Sequence, residues 1–121
     1  MKKRSASLLC TLAVTTMMLA GAAVASNASS SNVVEEGKKI SFDRKKGNCL
    51  ACHQIAGGAL PGNAGPPLVA MKARYPDKSA LRDQIWDATV RNPNTIMPPF
   101  GKHGILTESE IDKVVEFIYT L

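Results

Sequence analysis

Five consecutive residues, Cys49-Leu50-Ala51-Cys52-His53, constrain this 121-residue chain more than any other feature. A C-x-x-C-H run reads as the attachment signal of a c-type haem. The two thiols add across the haem vinyl groups, and two intervening residues let both sulfurs reach one edge of the macrocycle. The adjacent histidine is then set below the iron, where its imidazole can ligate. A chain this short buries a limited share of its surface and usually needs disulfides, a metal or a cofactor to complete a core. Cys10, Cys49 and Cys52 are the only cysteines, too few for a disulfide scaffold. Other readings of the motif are poorer. A thioredoxin-like redox pair needs a βαβ pattern, and no run alternates with period two. A zinc site needs about four ligands, and beyond Cys49, Cys52, His53 and His103 there is nothing at a repeated spacing. An adventitious pair of free thiols is the remaining alternative.

The N-terminus speaks for haem, because c-type haem is attached outside the cytoplasm. Lys2, Lys3 and Arg4 form a positive n-region, Leu8 to Val24 is uncharged and mostly apolar, and Ala23-Val24-Ala25 fits the small-x-small cleavage rule. A rival site ends at Ala28. The apolar stretch is short of the ~20 residues of a membrane span. Cys10 sits at its front rather than behind it, which argues against a lipidated N-terminus. The expected organisation is a cleaved signal peptide over 1–25, a mobile spacer over 26–31 and one domain over 32–121, located in the periplasm with no membrane span after processing. Cutting after Ala25 leaves 121 − 25 = 96 residues and removes three cations, so 15 basic residues become 12 against 10 acidic and the charge falls from +5 to +2. That removes the compositional case for nucleic acid, which asks for a strong basic excess.

Along the mature chain the patterning is helical. Asn32 with Glu35 suits a capping box, and Val33, Gly37 and Ile40 share one face. Arg44-Lys45-Lys46 suits the C-terminal end of that helix, with Gly47 stopping it. Residues 56–67 are dense in Gly and Pro and predict an irregular loop. A second helix is expected from Asp77 to about Arg91, capped by Asp77, burying Leu81, Ile85 and Ala88, and ended by Asn92-Pro93. Residues 94–104 are again irregular. The last helix has the clearest start: Thr107 and Glu110 make a capping box, Leu106 and Ile111 a hydrophobic staple. Ile111, Val114, Val115 and Ile118 form its apolar stripe. Three such helices and two long loops enclose too little apolar surface alone, so a cofactor must fill the middle.

A second axial ligand is sought among Met97, His103 and Met71. Met97 stands in Ile96-Met97-Pro98-Pro99-Phe100-Gly101, where two prolines stiffen the backbone and suit a ligand carried on a loop. Met71 reads better as core packing, and His103 as a surface residue between Lys102 and Gly104. In Gly65-Pro66-Pro67-Leu68 a backbone carbonyl could accept the Nδ1–H of His53 and so orient the ring.

Together the amphipathic first helix, the CLACH motif, the GPPL loop, the methionine loop and the last helix resemble the class I cytochrome c family. The resemblance implies an all-α fold of three or more short helices and long loops wrapped around one haem c, covalently bound through Cys49 and Cys52. It implies His53 as proximal ligand, Pro66 as carbonyl donor to its ring, and Met97 as distal ligand. It also implies a crossing of first and last helices in which Gly37 meets Phe117 or Tyr119. The family often places an aromatic four residues after that glycine, where this chain has Ser41, with Phe42 one later.

A narrower likeness covers Asp43 to Gln54, the segments GNAGPPL and Arg91-Asn92-Pro93, and IMPPFGKHGILTESEI. These resemble SoxX, the monohaem subunit family of the SoxAX cytochromes of sulfur-oxidising bacteria. That likeness implies a periplasmic heterodimer with a SoxA-like cytochrome subunit. The complex would join thiosulfate oxidatively to a cysteine of the SoxYZ carrier, an L-cysteine S-thiosulfotransferase reaction, and pass electrons to an accepting cytochrome. The substrate chemistry is expected on the partner subunit. A His/Met-ligated iron has no open position, and methionine raises the potential relative to a second histidine, so electron transfer is the expected role. A free monohaem carrier to an oxidase or reductase is the rival reading, and a haem sensor with a labile Met97 a third. The run Arg44-Lys45-Lys46 is either a solvated helix end or a basic rim that steers an acidic partner.

Overall fold

The computed structural model describes residues 22–121. The n-region, Cys10 and the apolar stretch as far as residue 21, on which the expectation of export rests, lie outside the described residues. Four α-helices follow in chain order, α1 (Ala22–Phe42), α2 (Met71–Arg74), α3 (Lys78–Trp86) and α4 (Glu108–Ile118). Two 3-10 turns, Cys49–Ala51 and Ala88–Val90, punctuate the loops. Among the described residues there is no strand, so the architecture is all-α and a βαβ redox fold is excluded.

The last helix starts where its capping box directs. The Thr107 side chain accepts the Glu110 N–H at 3.2 Å, and the Glu110 carboxylate accepts the Thr107 N–H at 3.0 Å. Two of the donors orphaned at a helix start are thereby satisfied. Ile111, Val114, Val115 and Ile118 are all buried, and Phe117 widens their stripe. Leu106 joins Ile111 in the same core.

The main helix interface is α1 against α4. It depends on Gly37, where a Cβ would stand 1.9 Å from the Lys113 carbonyl oxygen and 3.0 Å from the Phe117 Cβ. Only a residue without a side chain lets the two backbones meet. Phe42 then packs edge-to-face on Phe117, with ring centroids 5.9 Å apart. Phe117 is therefore the aromatic of the crossing. Tyr119 faces elsewhere: its hydroxyl donates to the Pro76 carbonyl at 3.2 Å, and Lys78 Nζ stands 4.9 Å from its ring centroid. Ser41 is fully buried and donates to the Gly37 carbonyl at 2.8 Å. The small side chain satisfies its own hydroxyl and leaves the aromatic contact to Phe42.

Several expected boundaries move. The first helix is already formed at Ala22, the first described residue, rather than starting at Asn32, so residues 26–31 are helical and Asn32 lies inside α1 rather than capping it. Residues 22–31 are Ala, Val, Ser and Asn, and extending a helix already docked on α4 is far easier than starting one. The helix also ends at Phe42, ahead of the basic run. Asp43 gathers the next turn, its carbonyl accepting from the Lys46 and Asn48 N–H groups at 3.0 Å. The second expected helix divides. Asp77 caps α3 through the Ser79 N–H, but Asp87 leaves helical geometry (φ −150°, ψ 90°) and caps the 3-10 turn through the Thr89 N–H. A second cap inside the periodic run overrides the period. The single turn of α2 is too short to leave a periodic signal.

Candidate functional site

The turn that carries the motif opens with Asn48 in the left-handed region (φ 46°, ψ 35°). The Cys49 carbonyl then accepts both the Cys52 N–H (3.2 Å) and the His53 N–H (2.8 Å), coiling the five residues into one tight unit. The Gly- and Pro-rich loop is laced back onto it. Gly62 donates to the Leu50 carbonyl at 2.7 Å, Gly65 to Cys52 at 2.8 Å and Leu68 to Gln54 at 2.9 Å. This is where a loop without periodic structure finds its backbone partners.

His53 Nδ1 lies 2.7 Å from the Pro66 carbonyl oxygen. A carbonyl only accepts, so Nδ1 carries a proton, and in the neutral ring that tautomer leaves the lone pair on Nε2. The ring is clamped from another side by Gly65, where a Cβ would stand 2.5 Å from His53 Cε1. Cys49 and Cys52 are free thiols, both partly buried. Burial pushes the Cys49 thiol up to about 11, against the pull of the Ser41 hydroxyl beside it. A thiol so held is protonated at neutral pH and sits in surroundings that favour an uncharged sulfur.

Of the three candidates for a second ligand, two reach the same space. Met97 and Met71 both line one cavity with Cys49, Cys52, His53 and Pro66, while His103 does not. Met71 is 2% exposed and its sulfur accepts from Arg74 Nη1 at 3.5 Å. Met97 is partly buried, and its backbone N–H donates to the Thr95 hydroxyl at 3.1 Å. The cavity measures about 450 Å³, within the ~300–1,000 Å³ of small-molecule and cofactor sites. Its walls include Met71, Leu81, Ile85, Phe100, Val114 and Ile118, which are members of the hydrophobic core. Two thiols, an imidazole and two thioethers on one apolar cavity fit a covalently held haem. They do not fit zinc: among the described residues no three His, Cys, Asp or Glu gather to hold a metal ion.

Comparison with known proteins agrees. A family model described as cytochrome c oxidase, cbb3-type, subunit III matches residues 33–118. The chain belongs to this family and is a class I c-type cytochrome. Its fold is also that of a solved structure, the crystal structure of SoxXA from P. pantotrophus. The likeness has a TM-score of 0.64 and 31% identity over 71% of this chain and 79% of that one. The cytochrome is therefore close to SoxX. It is also 34% identical over 76 residues to an uncharacterized lipoprotein of Aquifex aeolicus (strain VF5). That match takes in 62% of this chain and 37% of the lipoprotein, so the cytochrome spans little more than a third of that relative's length. Family and fold imply haem c. No helix among the described residues is long and apolar enough to cross a membrane.

Four residues around the site carried no signal in the sequence reading. Gly65 stood in a segment valued for its prolines. Thr95 lies in an irregular loop, Arg74 in a one-turn helix, and Asp87 inside an apparently continuous periodic run. Gly65 acts on His53 and Asp87 on Lys102 across the fold. Thr95 acts instead through an S/T turn two residues ahead of Met97, Asp87 also caps through Thr89, and Arg74 reaches back one helical turn to Met71.

Proposed function

We propose that this cytochrome binds one haem c through thioethers to Cys49 and Cys52, with His53 Nε2 and Met97 Sδ as axial ligands. We further propose that it serves as the electron-accepting subunit of a SoxAX-type complex in thiosulfate oxidation. Haem c, when bound, supplies a one-electron couple at its iron. The chain's own residues do the rest. Pro66 and Gly65 hold the His53 ring, and the carbonyl contact raises its donor strength. Arg74 engages the Met71 sulfur, which leaves Met97 as the thioether available across the cavity. The sequence holds a single C-x-x-C-H, which supports one haem. Were His53 and Met97 both to hold the iron, no position on it would be left for substrate, which would give bond-making to a partner and electron transfer to this subunit.

The observation that carries the SoxAX reading is the likeness to the SoxXA crystal structure over most of both chains. The partner is then a SoxA-like cytochrome, acting on the SoxYZ carrier in the periplasm and passing electrons to a further cytochrome. Export with cleavage after Ala25 or Ala28 belongs to the same reading. Both sites precede Gly37, so cleavage leaves the α1–α4 crossing whole. The second reading is a free monohaem carrier to an oxidase or reductase. The matching family model is described as an oxidase subunit, which bears on haem c and electron transfer and leaves the choice between carrier and subunit to experiment.

Isolation from native periplasm separates the two. The SoxAX reading requires a stable complex with a larger haem-bearing subunit that reduces added cytochrome c when given thiosulfate and SoxYZ. Met97→Ala should slow that reduction without dissolving the complex. It should also abolish the weak long-wavelength ferric band of sulfur ligation and lower the potential. A lone particle, or equal turnover by the partner alone, refutes the subunit role.

A further inference from the structure

The methionine loop has no helix between the turn at Ala88–Val90 and α4, so something outside it must fix its height over the cavity. Within the loop, Thr95 donates to the Asn92 carbonyl at 3.0 Å, and Ile105 and Leu106 donate to Phe100 at 2.9 and 3.1 Å. Its tether to the helical frame lies at the end of α3. The Trp86 carbonyl accepts the Gly101 N–H (3.1 Å) and the Lys102 N–H (3.3 Å). Gly101 lies against the Trp86 ring so closely that a Cβ would stand 2.1 Å from a ring carbon. Beside this seam, Lys102 Nζ donates to Asp87 Oδ2 at 2.7 Å.

Asp87 is unusual. It is buried, 7% exposed, and does not line the cavity. Its other oxygen accepts from the Thr89 N–H at 3.1 Å and from the Thr89 hydroxyl. Its cationic partner comes from the loop that carries Met97. Lys102, followed by the Thr89 hydroxyl, holds the carboxyl below the usual carboxylate range.

We propose that Asp87 and Lys102 are a positioning pair that clasps the methionine loop to the end of α3 and sets how often Met97 leaves its axial position. The proposal rests on the reading of Met97 as axial ligand. Neither residue lines the cofactor cavity. Removing Lys102 leaves a buried carboxylate without its counter-charge, and water reaches that carboxylate when the loop swings away. Such an opening is local, needing far less free energy than global unfolding.

The test uses ferric holoprotein mixed with cyanide, which binds only after Met97 has left. Asp87→Asn and Lys102→Gln should each speed cyanide binding about tenfold, and the double variant should be no faster than either alone, since one interaction is removed. Lys102→Arg should keep the wild-type rate. A merely structural role would lower the unfolding temperature without moving the exchange rate or its non-additivity. If Asp87→Asn fails to fold, Lys102→Gln decides alone, because that side chain is 57% exposed. Wild-type rates in the variants, with the sulfur band lost in Met97→Ala, overturn the proposal and leave the ligand assignment standing. A sulfur band that survives Met97→Ala overturns both.

Discussion

Replacing Gly37 by alanine tests the helix crossing on which the fold depends. In an unencumbered helix this change stabilises by about 0.5–1 kcal/mol, since glycine loses more backbone freedom on folding. Here the sign should reverse. The new Cβ would stand 1.9 Å from the Lys113 carbonyl oxygen, whereas ordinary contact begins at 3.4 Å, so α1 and α4 must part by about 1.5 Å. The obstacle is backbone, which cannot turn aside as a side chain would. Overpacking costs about 1–3 kcal/mol, and a backbone clash takes the upper end. Offset by the propensity gain, the net loss is about 2 kcal/mol, a fall in Tm of roughly 8–16 °C for a domain near 100 residues. The separation also loosens the Phe42–Phe117 contact and the Glu36–Lys113 ion pair at 2.7 Å, which bracket the crossing. Thermal unfolding of the holoprotein, followed by far-ultraviolet circular dichroism, measures the change. A Tm equal to or above that of the wild type refutes the reasoning, because it would mean that the helices do not meet at this residue.

Two further outcomes are expected. Gly65→Ala places a Cβ 2.5 Å from His53 Cε1 and stretches the 2.7 Å contact to Pro66. The weakened imidazole should raise the reduction potential by roughly 60 mV for each tenfold loss of ferric over ferrous ligation, and an unchanged potential in a redox titration contradicts the clamp. Stability should also depend on pH in a set direction. The side chains of Lys113, Ser79, Lys102 and Lys46 respectively depress the carboxyls of Glu36, Asp77, Asp87 and Glu110. Depressed carboxyls contribute stability that is present above their unfolded values of about 3.9–4.3 and lost as pH falls through the folded ones. Denaturant midpoints should therefore hold from neutrality to about pH 5 and drop below pH 4, and a flat profile to pH 3 excludes these pairs as contributors.

How much could be read in advance follows from the range of each interaction. The α4 start was legible because a capping box is complete within four residues, and its stripe because period and burial coincide. That Cys49, Cys52, His53 and Met97 share one cavity was open to expectation for a similar reason: the two cysteines and the histidine are adjacent, and Met97 is marked by its prolines. What the sequence did not disclose is mostly non-local. Asn32 carries a genuine capping pattern, yet docking of α1 on α4 favours extending the helix through it. Asp87 was hidden because Ala88 continues the apolar period of Leu81 and Ile85, while the carboxylate between them answers to Thr89 and to Lys102, fifteen residues on.

The basic run shows how one local pattern divides between structure and surface. Lys46 is drawn into an ion pair with Glu110, the same carboxylate that closes the α4 cap. That pairing ties the turn before the haem motif to the start of the last helix. It also depresses Glu110 and raises Lys46, so both charges are committed within the fold. Arg44 and Lys45 are exposed and, among the described residues, have no ion pair. They stand on the turn that leads directly into Cys49, adjoining the edge of the cavity that Gly47 and Asn48 line. Cations there would attract an acidic surface over about a Debye length, on the side of the cavity that Gly47 and Asn48 line. A helix end that merely needed cations would have placed all three along the last turn of α1. The chain instead ends that helix at Phe42, spends one cation on the cap of α4, and leaves two facing outward beside the motif.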